Sequence, residues 1–204
     1  MRSEMKNPAL FLLILAVLPL FGQEQKRPSE EEIRFYESII ATRDEGLAVC
    51  RTLAQTVKAN IELYASIDKK SAHPDDRAVT RAGGELVMEA FTLAKGVCDA
   101  FAILDDDRAA DIAKKDFPRF KKEKMPTDTR SFHINLFKLG LMEVHDAVGW
   151  WNRNMVAMNG EAGKKPQALV IKELLTATLR DAPEMRKRLD AIKKKYPVLT
   201  EERP

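Results

Sequence analysis

Aromatic residues make up only 7% of this chain, and cysteine occurs twice, at Cys50 and Cys98. No stretch alternates apolar and polar residues long enough to suggest a sheet, and no segment repeats. No Asn-x-Ser/Thr occurs, so glycosylation gives no clue to compartment. Zinc-protease, phosphate-loop and nucleophile-elbow signatures are missing as well. His73, His133 and His145 are preceded three residues earlier by Lys70, Arg130 and Met142, so the Glu-x-x-His pairs of a di-iron bundle do not occur. Nor does a Cys-x-x-Cys-His stretch for covalent haem attachment. With no activated nucleophile and no paired acid and base in view, an enzyme of unrecognised type is the least supported function class.

What is abundant is helix-forming. The 204 residues are 45% hydrophobic and 32% charged, rich in Ala, Leu, Glu, Lys and Arg, which suits one soluble helical domain. Arg2 and Lys6 open the chain, and an apolar run from Ala9 to Phe21, broken only by Pro19, follows. That run falls short of the ~20 residues a spanning helix needs, so residues 1–22 read as a signal peptide cut after Gly22. Leu20 departs from the small residue favoured near the cut, which leaves a retained anchor as the alternative. No other run approaches membrane length, so the mature chain is expected to be exported, periplasmic or secreted, without a membrane span. The leader carries +1 of the formal +3 charge, and the small remainder does not mark a nucleic-acid binder.

After a short linker, 23–28, four helical stretches account for most of the chain. The first opens on Ser29 and Glu32, the two ends of a capping box. Its seam runs through Ile33, Tyr36, Ile40, Leu47, Cys50, Ala54, Val57, Ile61 and Tyr64, with Arg43 as one polar member. Ser71, His73 and Pro74 make a turn. The second helix carries two adjoining stripes, Val79–Gly83–Leu86–Ala90–Leu93–Val97–Ala100–Leu104 and Val87–Phe91–Ala94–Cys98–Phe101, and Gly83-Gly84 marks a close helix approach. Residues 105–127 break the pattern: a short helix fits there, but Pro118 and Pro126 argue against a continuous one. Ile134, Phe137, Leu141, Val144, Val148, Trp151, Met155 and Met158 form the third seam, ended by Asn159-Gly160. The fourth, opened by Pro166, runs Ala168, Ile171, Leu175, Thr178, Ala182, Met185, Leu189, Ile192 and Tyr196, with a kink or restart expected at Pro183. Two tight connections and one long one, 105–127, predict an all-α, antiparallel up-down-up-down four-helix bundle over residues 29–204.

Three features carry the functional reading. His145, with Met142 one turn back and Met155 and Met158 further on, is the one site where haem or a soft metal would find ligands, although a lone histidine on a helix shoulder is ordinarily just hydrogen-bonded. Trp150 is turned away from the seam by about 100° and offers a partner contact or covers the flank. The run Lys114, Lys115, Asp116, Phe117, Pro118, Arg119, Phe120, Lys121, Lys122, Glu123, Lys124 is basic with interleaved Phe, suited to an anionic surface or protein. Its phenylalanines would equally pin the segment to the bundle, and Glu30 to Glu32 would offset its charge. Arg43 needs a carboxylate, and Asp105, Asp106 or Asp107 lies level with it. Cys50 and Cys98 are expected to join the first two helices by a disulfide. The balance favours an exported, non-enzymatic binding protein with no cofactor.

Overall fold

The computed structural model describes residues 27–71, 73–122, 132–159 and 165–200, apart from the side chains of 132, 133 and 156–159. Residues 1–22, Lys124, Pro126, Gly160 and the Met158 side chain therefore lie outside what is described. The chain is all-α: five helices and a short 3-10 turn, with no strand among the described residues. They are α1 (Glu30–Lys70), α2 (Pro74–Ala102), α3 (Asp106–Lys122), α4 (Phe132–Asn159) and α5 (Gln167–Lys195), followed by the turn Pro197–Leu199.

The 41 residues of α1 make a rod of about 60 Å. It starts where the sequence indicates. Ser29 N donates to Glu32 Oε2 at 2.6 Å, and Glu32 N donates to Ser29 Oγ at 3.3 Å. Three acids in its first turn and two lysines in its last complement the helix dipole. Its buried face, however, is displaced from the predicted seam. The enclosed residues are Phe35, Ile39, Thr42, Gly46, Leu53, Val57, Asn60, Tyr64 and Ile67. Ile33, Tyr36, Ile40, Leu47 and Cys50 lie on the half-buried flank, and Ala54 is exposed. The reason is chemical. Thr42 is satisfied locally by the Ser38 carbonyl at 2.8 Å, the Asn60 amide nitrogen by Thr56 O and Asn152, and Gly46 is buried because a ring lies on it. Hydropathy alone gives such positions no weight.

The helices pair in a definite order. Cys50 meets Cys98, Gly46 meets Phe101 and Tyr64 meets Gly83, so α1 and α2 run antiparallel. Lys138 pairs with Glu45 and Asn152 with Asn60, so α4 runs parallel to α1. Asn154 pairs with Asp181 and Trp150 with Arg188, so α5 runs antiparallel to α4. Trp151, Leu141, Val144, Val148 and Met155 from α4 and Met185 and Leu189 from α5 are fully buried where these helices meet, as their seams predict.

The stretch 105–127 differs from expectation. Most of it is α3, and the helix continues through Pro118. Pro183 likewise lies inside an unbroken α5. Both prolines are exposed, and the residues four places earlier, Lys114 and Leu179, are exposed too. The carbonyl each proline leaves without an amide is thus on the solvent side, where water can bind it. Asp106 reaches Arg43, Phe117 and Phe120 reach Phe35, and Lys121 reaches Glu31. Taken in order, these contacts make α3 a continuation of α2 along the first part of α1, after a break at 103–105.

Candidate functional site

All four long helices meet at Tyr64. Its ring lies over Gly83 of α2, where an added Cβ would come within 2.5 Å of Cζ. Its hydroxyl is 3.0 Å from Thr178 Oγ1 of α5. Thr178 gives its own proton to Leu174 O at 2.8 Å, so Tyr64 is the donor of the pair. The Trp151 indole N–H of α4 is buried close to the Tyr64 hydroxyl with no hydrogen-bond partner among the described residues. Met155 Sδ lies 3.6 Å from Thr178 Oγ1. One turn away, Asn60 Nδ2 donates to Asn152 Oδ1 at 2.8 Å, and Asn60 Oδ1 is buried with no partner among the described residues. Burial pushes the Tyr64 phenol up to about 12, so it stays protonated and acts as a fixed donor. This layer ties helices together and presents no poised base or nucleophile.

Charged groups along the bundle are paired within and between helices. Asp181 takes bonds from Arg180 and Asn154, and the Arg180 guanidinium holds its carboxyl below the ordinary range against the opposing effect of burial. Lys195 and Tyr196 both bond Glu143, and Lys193 bonds Glu89 at 2.5 Å. Burial lowers the Lys138 ammonium even with Glu45 beside it. Arg43 bonds Asp106 Oδ1 at 2.7 Å, Leu104 O at 3.2 Å and Asp44 Oδ1 at 2.9 Å, which meets the need seen in the sequence.

The residues singled out by sequence fall in different places. His145 is half-buried with Nδ1 3.6 Å from Asp146, Met142 is exposed, and Met155 is fully enclosed with its sulfur at Thr178. The structure therefore does not gather His145 and Met155 into one ligand set. Among the described residues no three His, Cys, Asp or Glu side chains are grouped to hold a metal. Trp150 is half-buried, 6.5 Å from the Trp151 ring, with the Arg188 guanidinium 4.6 Å from its own centroid. Phe117 and Phe120 are buried against Phe35, at 5.9 and 4.6 Å between ring centroids, and so pin α3 rather than face a partner. Lys114, Lys115, Arg119 and Lys122 remain exposed on the outer side of α3, and the exposed Lys121 is turned to Glu31 of α1. Cys50 and Cys98 stand at disulfide distance, S–S 2.18 Å and Cα–Cα 5.8 Å.

Surface depressions are modest. One of about 430 Å³ lies between α1 and α2 over Gly84, walled by Ile61, Ala65 and Met88, and another of about 360 Å³ separates Ile67 from Val170 and Leu174. No described helix is long and apolar enough to cross a membrane. No protein-family model, no curated protein and no solved structure matches this chain. Sequence reasoning passed over Asn60 and Asn152. The signal available was a polar residue within an apolar stripe, which identified Arg43 correctly and applies equally to Thr178.

Proposed function

We propose that this chain is an exported four-helix bundle, with α2 and α3 together forming its second arm, that binds a partner and carries out no chemistry of its own. The observation that carries this reading is the Tyr64 layer. Its Tyr64–Thr178 bond joins α1 to α5 while Gly83 brings α2 against the same ring, leaving a core organised for rigidity. Export is supported by the leader-like apolar run and by a cysteine pair at disulfide distance, a bond that persists outside reducing compartments. The partner surface we favour is the exposed cationic outer side of α3, Lys114, Lys115, Arg119 and Lys122, which suits an anionic protein or surface.

The test is purification of the mature protein from its native host at low salt. We expect colourless, metal-free protein that retains an anionic partner, and a Lys114→Glu/Lys115→Glu/Lys122→Glu variant that loses it. A visible absorption band, or a metal at one equivalent, would overturn the reading in favour of a cofactor bundle using His145.

A further inference from the structure

We infer that α3 opens from α1 as a unit, hinged at residues 103–105, with Arg43 as its latch and the Cys50–Cys98 pair as the stop that keeps the opening from spreading. This inference stands apart from the partner proposal and needs no ligand.

The anchoring of α3 is unlike that of the other helices. It buries only Ala109, Ala113, Phe117 and Phe120, whereas α2 buries Leu86, Val87, Leu93, Val97 and Phe101 among others. Among the described helices α3 packs substantially on α1 alone, while α2 packs on α1, α4 and α5. Pro118 removes one of its backbone hydrogen bonds. Few enclosed apolar groups per ordered residue is the condition for opening below the global unfolding energy.

The hinge is already cut out of the helical ladder. Ile103 O accepts from Asp105 N and the Arg108 guanidinium, each at 3.0 Å, and Leu104 O accepts from Arg43 at 3.2 Å, so neither carbonyl makes the amide bond of a continuous helix. Asp105 begins α3 afresh, taking Arg108 N on its side chain at 2.8 Å and Ala109 N on its carbonyl at 3.0 Å. Rotation about 103–105 can therefore leave both flanking helices intact. Arg43 grips the hinge itself through Leu104 O and the first residue of α3 through Asp106. The far end is held by Phe117 and Phe120 against Phe35, and beyond them only by the Lys121–Glu31 pair, 3.7 Å apart and mostly exposed, which is a weak tie. On the other side of the hinge, the Phe101 ring rests directly on Gly46, and Cys98 meets Cys50 a turn further in. An opening that starts in α3 meets this clamp before it reaches the Tyr64 layer.

Native-state hydrogen exchange on the mature, unreduced chain tests the proposal. The amides of α3 should exchange through an opening that leaves α2 amides 86–97 protected. Arg43→Ala should speed α3 exchange by about tenfold and leave 86–97 unchanged. Because Arg43→Ala also empties a half-buried site, Asp106→Asn, a change at an exposed residue, serves as the second variant, with an expected gain of about threefold confined to α3. Equal protection of α3 and 86–97 in the native chain, or acceleration of both segments together in either variant, would overturn the proposal.

Discussion

Two adjacent glycines, Gly83 and Gly84, stand in opposite surroundings. A Cβ at Gly83 would meet the end of the Tyr64 ring at 2.5 Å, whereas one at Gly84 would meet nothing within 4 Å. Tyr64 is enclosed and bonded to Thr178, so it cannot swing aside without losing that bond. Gly83→Ala should therefore destabilise by ~1–3 kcal/mol through overpacking. Gly84→Ala should stabilise by ~0.5–1 kcal/mol, since it only removes the entropic cost of glycine in a helix. Urea unfolding of the two variants measures both, and changes of the same sign would contradict the packing described around Tyr64. The sequence marks the glycine pair as a close approach but does not say which member is in contact. That depends on a rotation of about 100° about the helix axis, and only the partner helix decides it.

Elements were legible to the extent that their apolar residues alone define the buried face. In α4 the predicted seam from Ile134 to Met155 is the buried or half-buried face, because its apolar side chains run unbroken and the enclosed Lys138 lies beside it, turned to Glu45 of α1. In α1 the prediction was displaced, because Thr42, Gly46 and Asn60 are enclosed for reasons of bonding and close approach. In α3 the prolines were weighted too heavily; a proline on the solvent side costs one hydrogen bond and does not end the helix. Within α5, Asp181 carries a pH signature. Its folded pKa lies below the ordinary value of about 3.9, so its contribution is present above that value and is lost as pH falls through the lower folded one. Asp181→Asn should thus be less stable than the native protein at neutral pH, with the difference narrowing below about pH 4. Unfolding curves at both pH values check this, and a constant difference would mean that the Arg180 and Asn154 bonds contribute nothing through charge.

At the scale of the molecule, the long connection expected at 105–127 proves to be mostly structure, and the second arm is divided beside the cysteine pair. The pair was placed correctly because antiparallel helices across a short turn fix the level of each residue, and because only two cysteines are present. Export and closure by Cys50–Cys98 are the two properties of the proposed bundle that one measurement reaches. A bridge spanning 48 residues would stabilise by ~4 kcal/mol in the chain-entropy model. The most direct test is the intact mass of protein taken from its native host, unfolded and alkylated without reductant. We predict a chain that begins within a few residues of Gln23 and takes up no alkyl group until it is reduced. A chain that begins at Met1 and takes up alkyl groups at both Cys50 and Cys98 would contradict the account.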